Sequence, residues 1–178
     1  MSNFYQDVIV KSPWFQEAHK VCADVQMLEP GFRARVMEFM SDAAKAGHPL
    51  KVLETYRSQA RQSTLYAQGR TAPGKVVTQL RTVGVHGYGL AADLGLLQGS
   101  TIDWTGEHYA FFQALCAKHK MISGIDWGTP HARHTFHDWD HVQGVPVFRQ
   151  NALFAGQWYP GPGYDPIQDQ IDHHIAGA

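Results

Sequence analysis

Apolar positions along this chain recur at helical spacing in some stretches and at strand spacing in others, with glycine and proline clusters between them. After the Glu29-Pro30-Gly31 break, Phe32, Val36, Phe39, Met40 and Ala43 form a helical stripe that runs to Gly47-His48-Pro49 and predicts a core-facing helix. An earlier helix is predicted over 12–24, with Pro13 at its first position and Trp14, Phe15, Ala18, Val21 and Cys22 on one face. Leu50–Tyr56 reads as a strand, after which Ser58 can cap a helix that continues to Gly69. Leu90–Leu97 reads as a short buried strand and Glu107–Lys120 as an amphipathic helix with Tyr109, Phe112, Leu115 and Cys116 inward. Alternation around His141 and Val142 predicts a second strand within Phe136–Gln143, and leaves its pairing direction with 90–97 open.

The segments between are punctuated by turn formers. Gly69–Gly84, with Pro73-Gly74 inside, has the chemistry of an active-site loop, and Thr78 and Gln79 on it are candidates for substrate contact. Gly99–Gly106 reads as a connection and Ser123–Thr135 as a polar loop. From Gly144 onward the pattern predicts an irregular wrap, with Trp158, Tyr159 and Tyr164 covering core rather than stacking on sugars, and with His173-His174 in a solvated tail.

Composition narrows the class. A chain of 178 residues suits a single domain over 1–178, and no apolar run is long enough to span a membrane. A net charge of −1 argues against a dedicated nucleic-acid binder. The two cysteines, Cys22 and Cys116, both on stretches read as helical, can build neither a disulfide framework nor a cysteine zinc site, so buried free thiols are expected. The start, MSNFYQDVIVKSPWF, lacks the basic and apolar regions of a secretory signal, which predicts synthesis in the cytoplasm. A monomer is expected.

Candidate chemistry sits in VHGYGLAADL, Val85 to Leu94. A continuous strand would hold His86 and Asp93 roughly 23 Å apart, yet Gly87 and Gly89 let the chain fold back so that both can reach one ion. His141 is the third candidate ligand, completing the set of three protein groups and one open position of a catalytic zinc. Asp138, at i, i+3 from His141, stands beside such a site only if the chain bends there, and is then placed as general base. Asp140 is the rival base, weakened because neighbouring strand residues point to opposite faces. His131, His134 and His137, with His141, form a rival metal set that leaves the 86–93 turn unexplained; His134 or His137 could instead contact substrate.

The combination HxxGxAxD followed by DxxH, together with Leu53-Glu-Thr-Tyr-Arg-Ser58 and QSTLYAQGR from Gln62 to Arg70, resembles the zinc peptidases of the peptidoglycan stem, the D-alanyl-D-alanine carboxypeptidases and dipeptidases and the phage L-alanyl-D-glutamate endopeptidases. The resemblance spans residues 25 to 143. It implies an α+β fold, a small and mainly antiparallel sheet flanked by helices, of the DD-peptidase (Hedgehog-like) kind. It further implies one Zn²⁺ on His86, Asp93 and His141, Asp138 as base, Arg57 as oxyanion stabiliser, and a stem-peptide substrate. A phage-type endolysin that reaches the cell wall after release is the favoured expectation, a D-alanyl-D-alanine carboxypeptidase the second, and a zinc-stabilised wall-binding module without turnover the third. Activity is expected to fall below about pH 6, where ligand histidines protonate. One departure is visible: the family commonly has a serine two places before the first histidine, where this chain has Gly84.

Overall fold

Proline at a first helical turn and an acceptor just before it set the start of the longest helix. In the computed structural model of the chain, which describes residues 3–16, 19–130 and 132–176, Glu29 Oε2 accepts the Phe32 N–H at 2.7 Å, satisfying a donor that the first turn leaves over. The helices are α1 (Pro13–Gln16), α2 (Pro30–Lys45), α3 (Gln59–Ala67), α4 (Phe111–Lys118), α5 (Gln150–Phe154) and α6 (Pro166–Ala176). The strands are β1 (Leu50–Glu54), β2 (Ala91–Gln98), β3 (Thr101–Asp103), β4 (Ile122–Ser123) and β5 (His141–Gln143).

All strand pairs are antiparallel, in the order β1-β2-β5-β4, with β3 beside the far end of β2. This is the small antiparallel sheet with helices that the resemblance implies, and it settles the pairing direction that the pattern leaves open. The two faces of the sheet differ in kind. Ala92, Leu94, Leu96 and Val142 point to one side and pack against Phe32, Val36 and Phe39 of α2 and Phe112 and Cys116 of α4. On the other side, Glu54, Asp93 and His141 lie in one row across β1, β2 and β5, because Glu54 pairs with Asp93 and Asp93 with His141. Apolar packing on one face thus fixes the polar row on the other.

Several elements depart from the sequence reading. Of the helix expected over 12–24, Pro13–Gln16 forms α1, Ala18 of its stripe lies outside the described residues, and 21–24 are not helical. Further on, the Thr55 N–H and hydroxyl bond the Cys22 carbonyl at 2.6 and 3.0 Å, and the hydroxyl also bonds the Asp24 carbonyl, so this segment is held extended along the core. Cys22 is therefore not helical; both cysteines are free and buried, and burial raises their thiol pKa values. The helix expected over 107–120 breaks into a turn and α4, because the Tyr109 hydroxyl is tied to Asp103 O at 2.7 Å and Leu96 N at 2.9 Å. The 99–106 connection contains β3, hairpinned onto β2 around Gly99 in the left-handed region.

The strand expected over 136–143 begins only at His141, since the preceding residues curl around Gly124. Asp138 N–H bonds Gly124 O and Gly124 N–H bonds His141 O, each at 2.9 Å, and a Cβ on Gly124 would meet the Asp138 carbonyl at 2.4 Å. After Gly144, α5 and α6 replace the predicted irregular wrap, and His173 lies on α6 with its ring stacked on Phe148 at 3.8 Å. Trp158 and Tyr159 cover a small core of Val85, Leu90, Ala91, Val145 and Leu153, as expected. Among the described residues no helix is long and apolar enough to cross a membrane.

Candidate metal centre and its cleft

His86 reaches Asp93 by the fold-back that the glycines predict. Val85–Tyr88 forms a tight turn that ends on Gly89 at φ +70, and a Cβ there would lie 2.6 Å from the Met27 carbonyl. Gly87 is needed for space, since its Cβ would meet Val83 Cγ1 at 2.9 Å. Asp93 and His141 then face each other across β2 and β5.

Three donor atoms result, mutually close: His86 Nε2 to Asp93 Oδ1 at 3.2 Å, His141 Nδ1 to Asp93 Oδ1 at 3.1 Å, and His86 Nε2 to His141 Nδ1 at 3.2 Å. Among the described residues, this is the group of histidine and acidic side chains whose ligand atoms converge in this way. The opposite ring nitrogens fix the protons. His86 Nδ1 lies 2.9 Å from the Thr55 carbonyl, which only accepts, so Nδ1 carries the hydrogen and Nε2 a lone pair. The Gln143 amide donates its nitrogen to Val145 O, which turns Oε1 toward His141 Nε2 at 3.1 Å and makes that nitrogen the donor. His141 Nδ1 is then also a lone pair.

Three acceptors would thus face one another with no hydrogen between them. A cation at the centre removes the repulsion, and the edges of about 3.1–3.2 Å approach the roughly 3.3 Å expected for ligands of a tetrahedral zinc with bonds near 2.0–2.1 Å. The residues fit the ion. Without one, a proton serves: burial opposes it, but the Asp93 carboxylate raises the His141 pKa above its ordinary value. Burial likewise opposes the charge of Asp93, yet His86 and His141 hold its carboxyl well below the usual carboxylate range.

Arg57 lies in the site as an ion-pair partner. Its Nη2 donates to Asp93 Oδ2 at 2.9 Å, its Nε and Nη2 both donate to Glu54 Oε2, and Nη1 donates to Gln62 Oε1 at 3.3 Å. Asp93 therefore turns Oδ2 to Arg57 and Oδ1 to the histidines. Burial disfavours the guanidinium charge, but Asp93 and then Glu54 raise its pKa. Four of its five N–H groups are committed, which leaves one on Nη1 for any oxyanion.

These groups form the floor of a cleft of about 860 Å³. Asp138 lines it, and the bend that its role requires is present, with His141 N–H bonding Asp138 O at 3.3 Å. Asp140 also lines it, because it belongs to this turn and not to β5, so strand alternation does not exclude it. Burial, then Asp93 and Asp138, push its carboxyl up to about 7. Thr78 and Gln79 stand on the opposite wall, where Thr78 Oγ1 accepts from Gln62 and Gln79 Oε1 from Arg70. His134 and His137 do not line the cleft: His134 Nε2 bonds Thr129, and the His137 ring lies against Trp139. His131 of the rival metal set lies outside the described residues. Gly84 leaves its Cβ direction open, with Leu80 Cδ1 at 3.7 Å, so a serine would fit there.

Sequence reasoning missed Glu54, Arg61 and Gln143. Glu54 is a carboxylate inside an apolar strand run, which burial tolerates only when paired. Gln143 is two residues from His141 and so shares its strand face. Both signals were available.

No protein-family profile matches the chain. The peptidoglycan L-alanyl-D-glutamate endopeptidase CwlK of Bacillus subtilis (strain 168) is 29% identical to it over 126 residues, covering 67% of this chain and 74% of that one. Among solved structures, the L-Ala D-Glu endopeptidase ChiX of Serratia marcescens superposes with a TM-score of 0.52 at 20% identity, over 78% of this chain and 90% of ChiX. DacB from Streptococcus pneumoniae D39 superposes at 0.51 and 17% identity, over 74% and 73%. The turn and the strand pairing agree with these likenesses: in sequence the chain is similar to a peptidoglycan L-alanyl-D-glutamate endopeptidase, and it shares the fold of ChiX and DacB.

Proposed function

We propose that the chain is a zinc-dependent peptidase of the peptidoglycan stem, and that the bond it cuts joins L-alanine to D-glutamate. The observation that carries the reading is the triangle of lone pairs on His86, Asp93 and His141, set at the floor of a cleft wide enough for a peptide. Two imidazoles and a carboxylate are a zinc donor set, and the likeness to the Bacillus subtilis endopeptidase favours the L-alanyl-D-glutamate bond.

Bound zinc would polarise the scissile carbonyl and acidify a water molecule. The chain's own residues supply the rest. Thr55 and Gln143 hold the imidazole protons away from the ion, and Arg57 orients the Asp93 carboxylate by donating to its Oδ2. The uncommitted Arg57 N–H is available to negative charge growing on the carbonyl oxygen. Asp138 accepts the proton from the attacking water and returns it to the leaving amine. Thr78 and Gln79 contact the peptide from the facing wall, and residues 1–178 act as one catalytic unit on the cell wall.

Digestion of purified peptidoglycan tests this, with zinc-loaded and chelator-stripped protein compared by mass spectrometry of the muropeptides. The expected products are glycans ending in L-alanine and stem peptides beginning with D-glutamate, formed only with metal. Loss of terminal D-alanine instead would move the activity to a carboxypeptidase. Wall binding that releases no peptide would overturn the enzymatic reading.

A further inference from the structure

Two arginines line the cleft, and they are bonded differently. Arg57 gives most of its donors to Glu54, Asp93 and Gln62, as described above. Arg61, in the first turn of α3, reaches the same Glu54 with Nε alone, at 3.3 Å to Oε1. Its two Nη groups have no hydrogen-bond partner among the described residues and neither is buried, and Arg61 lines the cleft. The Nη1/Nη2 edge is the planar fork that takes a carboxylate by two parallel hydrogen bonds.

Charge on the cleft floor favours such a ligand. Arg57 and Arg61 balance Glu54 and Asp93, and a divalent ion would offset Asp138 and Asp140. An incoming anion therefore needs a cation with free donors, and Arg61 is the lining arginine that has them. Its position follows from the chain Arg61–Glu54–Arg57–Asp93, which links it to the ligand triangle through three ion pairs.

We propose that Arg61 binds the α-carboxylate of the residue that supplies the leaving amine, and so selects substrates carrying a free carboxylate next to the scissile nitrogen. This rests on the peptidase reading. In the stem, D-glutamate continues through its γ-carboxyl, so its α-carboxylate sits on the carbon bonded to the scissile nitrogen. A terminal D-alanine offers the same group at the same place. Amidation of that carboxylate removes the charge and one acceptor, and leaves everything else unchanged.

The test is a pair of muropeptides that differ only in this group, D-isoglutamate against D-isoglutamine. Wild-type protein is expected to show a KM about tenfold or more lower for the acid, the size of a lost charge-assisted bidentate contact. Arg61→Gln should bring the two KM values together, and Arg61→Lys should retain part of the gap. Equal KM values in the wild type, or a gap that survives Arg61→Gln, would overturn the proposal; so would loss of metal from Arg61→Gln, which would make the arginine structural. If neither substrate is cut, the peptidase reading fails and Arg61 is tested by itself. NMR of the zinc-loaded protein then follows the Arg61 Nε–H signal with D-isoglutamyl peptide and its amide. A shift with the acid alone supports the anion site, and equal or no shifts reject it.

Discussion

The floor and the outer wall of the cleft are built on opposite terms. On the floor, Gln143 is 1% exposed and Glu54 6%, and nearly every polar atom is met by a named partner across β1, β2 and β5. On the wall, Leu80 is 59% exposed, Phe136 58% and Trp104 69%, and all three face the cleft. The floor is held by strand register and buried hydrogen bonds, whereas the wall leaves apolar surface to be covered by something else. Geometry for chemistry is fixed in advance, and surface for a ligand is left open.

The sharpest way to break this contrast is at the floor. His86→Ala should abolish zinc binding and hydrolysis together, read by metal analysis and muropeptide digestion. Asp138→Asn should keep the metal and lower kcat by about 10²–10⁴-fold; an empty site in that variant would make Asp138 a ligand and not a base. Gln143→Leu frees the His141 ring to take the wrong tautomer, so zinc affinity should fall by about 10–100-fold in a chelator competition. At the wall, Leu80→Ala should leave melting temperature and metal content unchanged and raise KM by only a few-fold. The smallest effect lies outside the cleft. Hydrogen bonds from Arg149 hold the Asp169 carboxyl below the ordinary range, so it stabilises the fold above about pH 4 and loses that contribution as pH falls through its folded value. Asp169→Asn should melt slightly earlier than the parent at pH 7, and the gap should close on acidification.

The floor was also the more legible region in the sequence. The stripe of α2 and the short apolar runs of β1 and β2 carry strong periodicity, and the two glycines before Asp93 announce the fold-back by themselves. Where tertiary hydrogen bonds decided the outcome, local pattern failed: Thr55 straightened the segment at Cys22, and Tyr109 broke the helix before α4. β3 and β4 are too short to show alternation. The start of α6 is marked in the sequence by Asp165 and Pro166, since Asp165 Oδ1 caps the N–H groups of Ile167 and Gln168. Strand alternation disfavours Asp140 as a base only if it lies in a strand, and it lies in a turn, while the open fork of Arg61 depends on which donors its neighbours take, which no spacing reveals.

The pairing of Asp93 with His141 makes the ion a witness to alignment. If β5 slid past β2 by a single residue, Val142 would face Asp93 and the imidazole would turn into the apolar layer under α2 and α4. Mispaired chains could be compact and yet unable to hold zinc, so the fraction of refolded protein that takes up metal would count the molecules whose strands met in the correct frame.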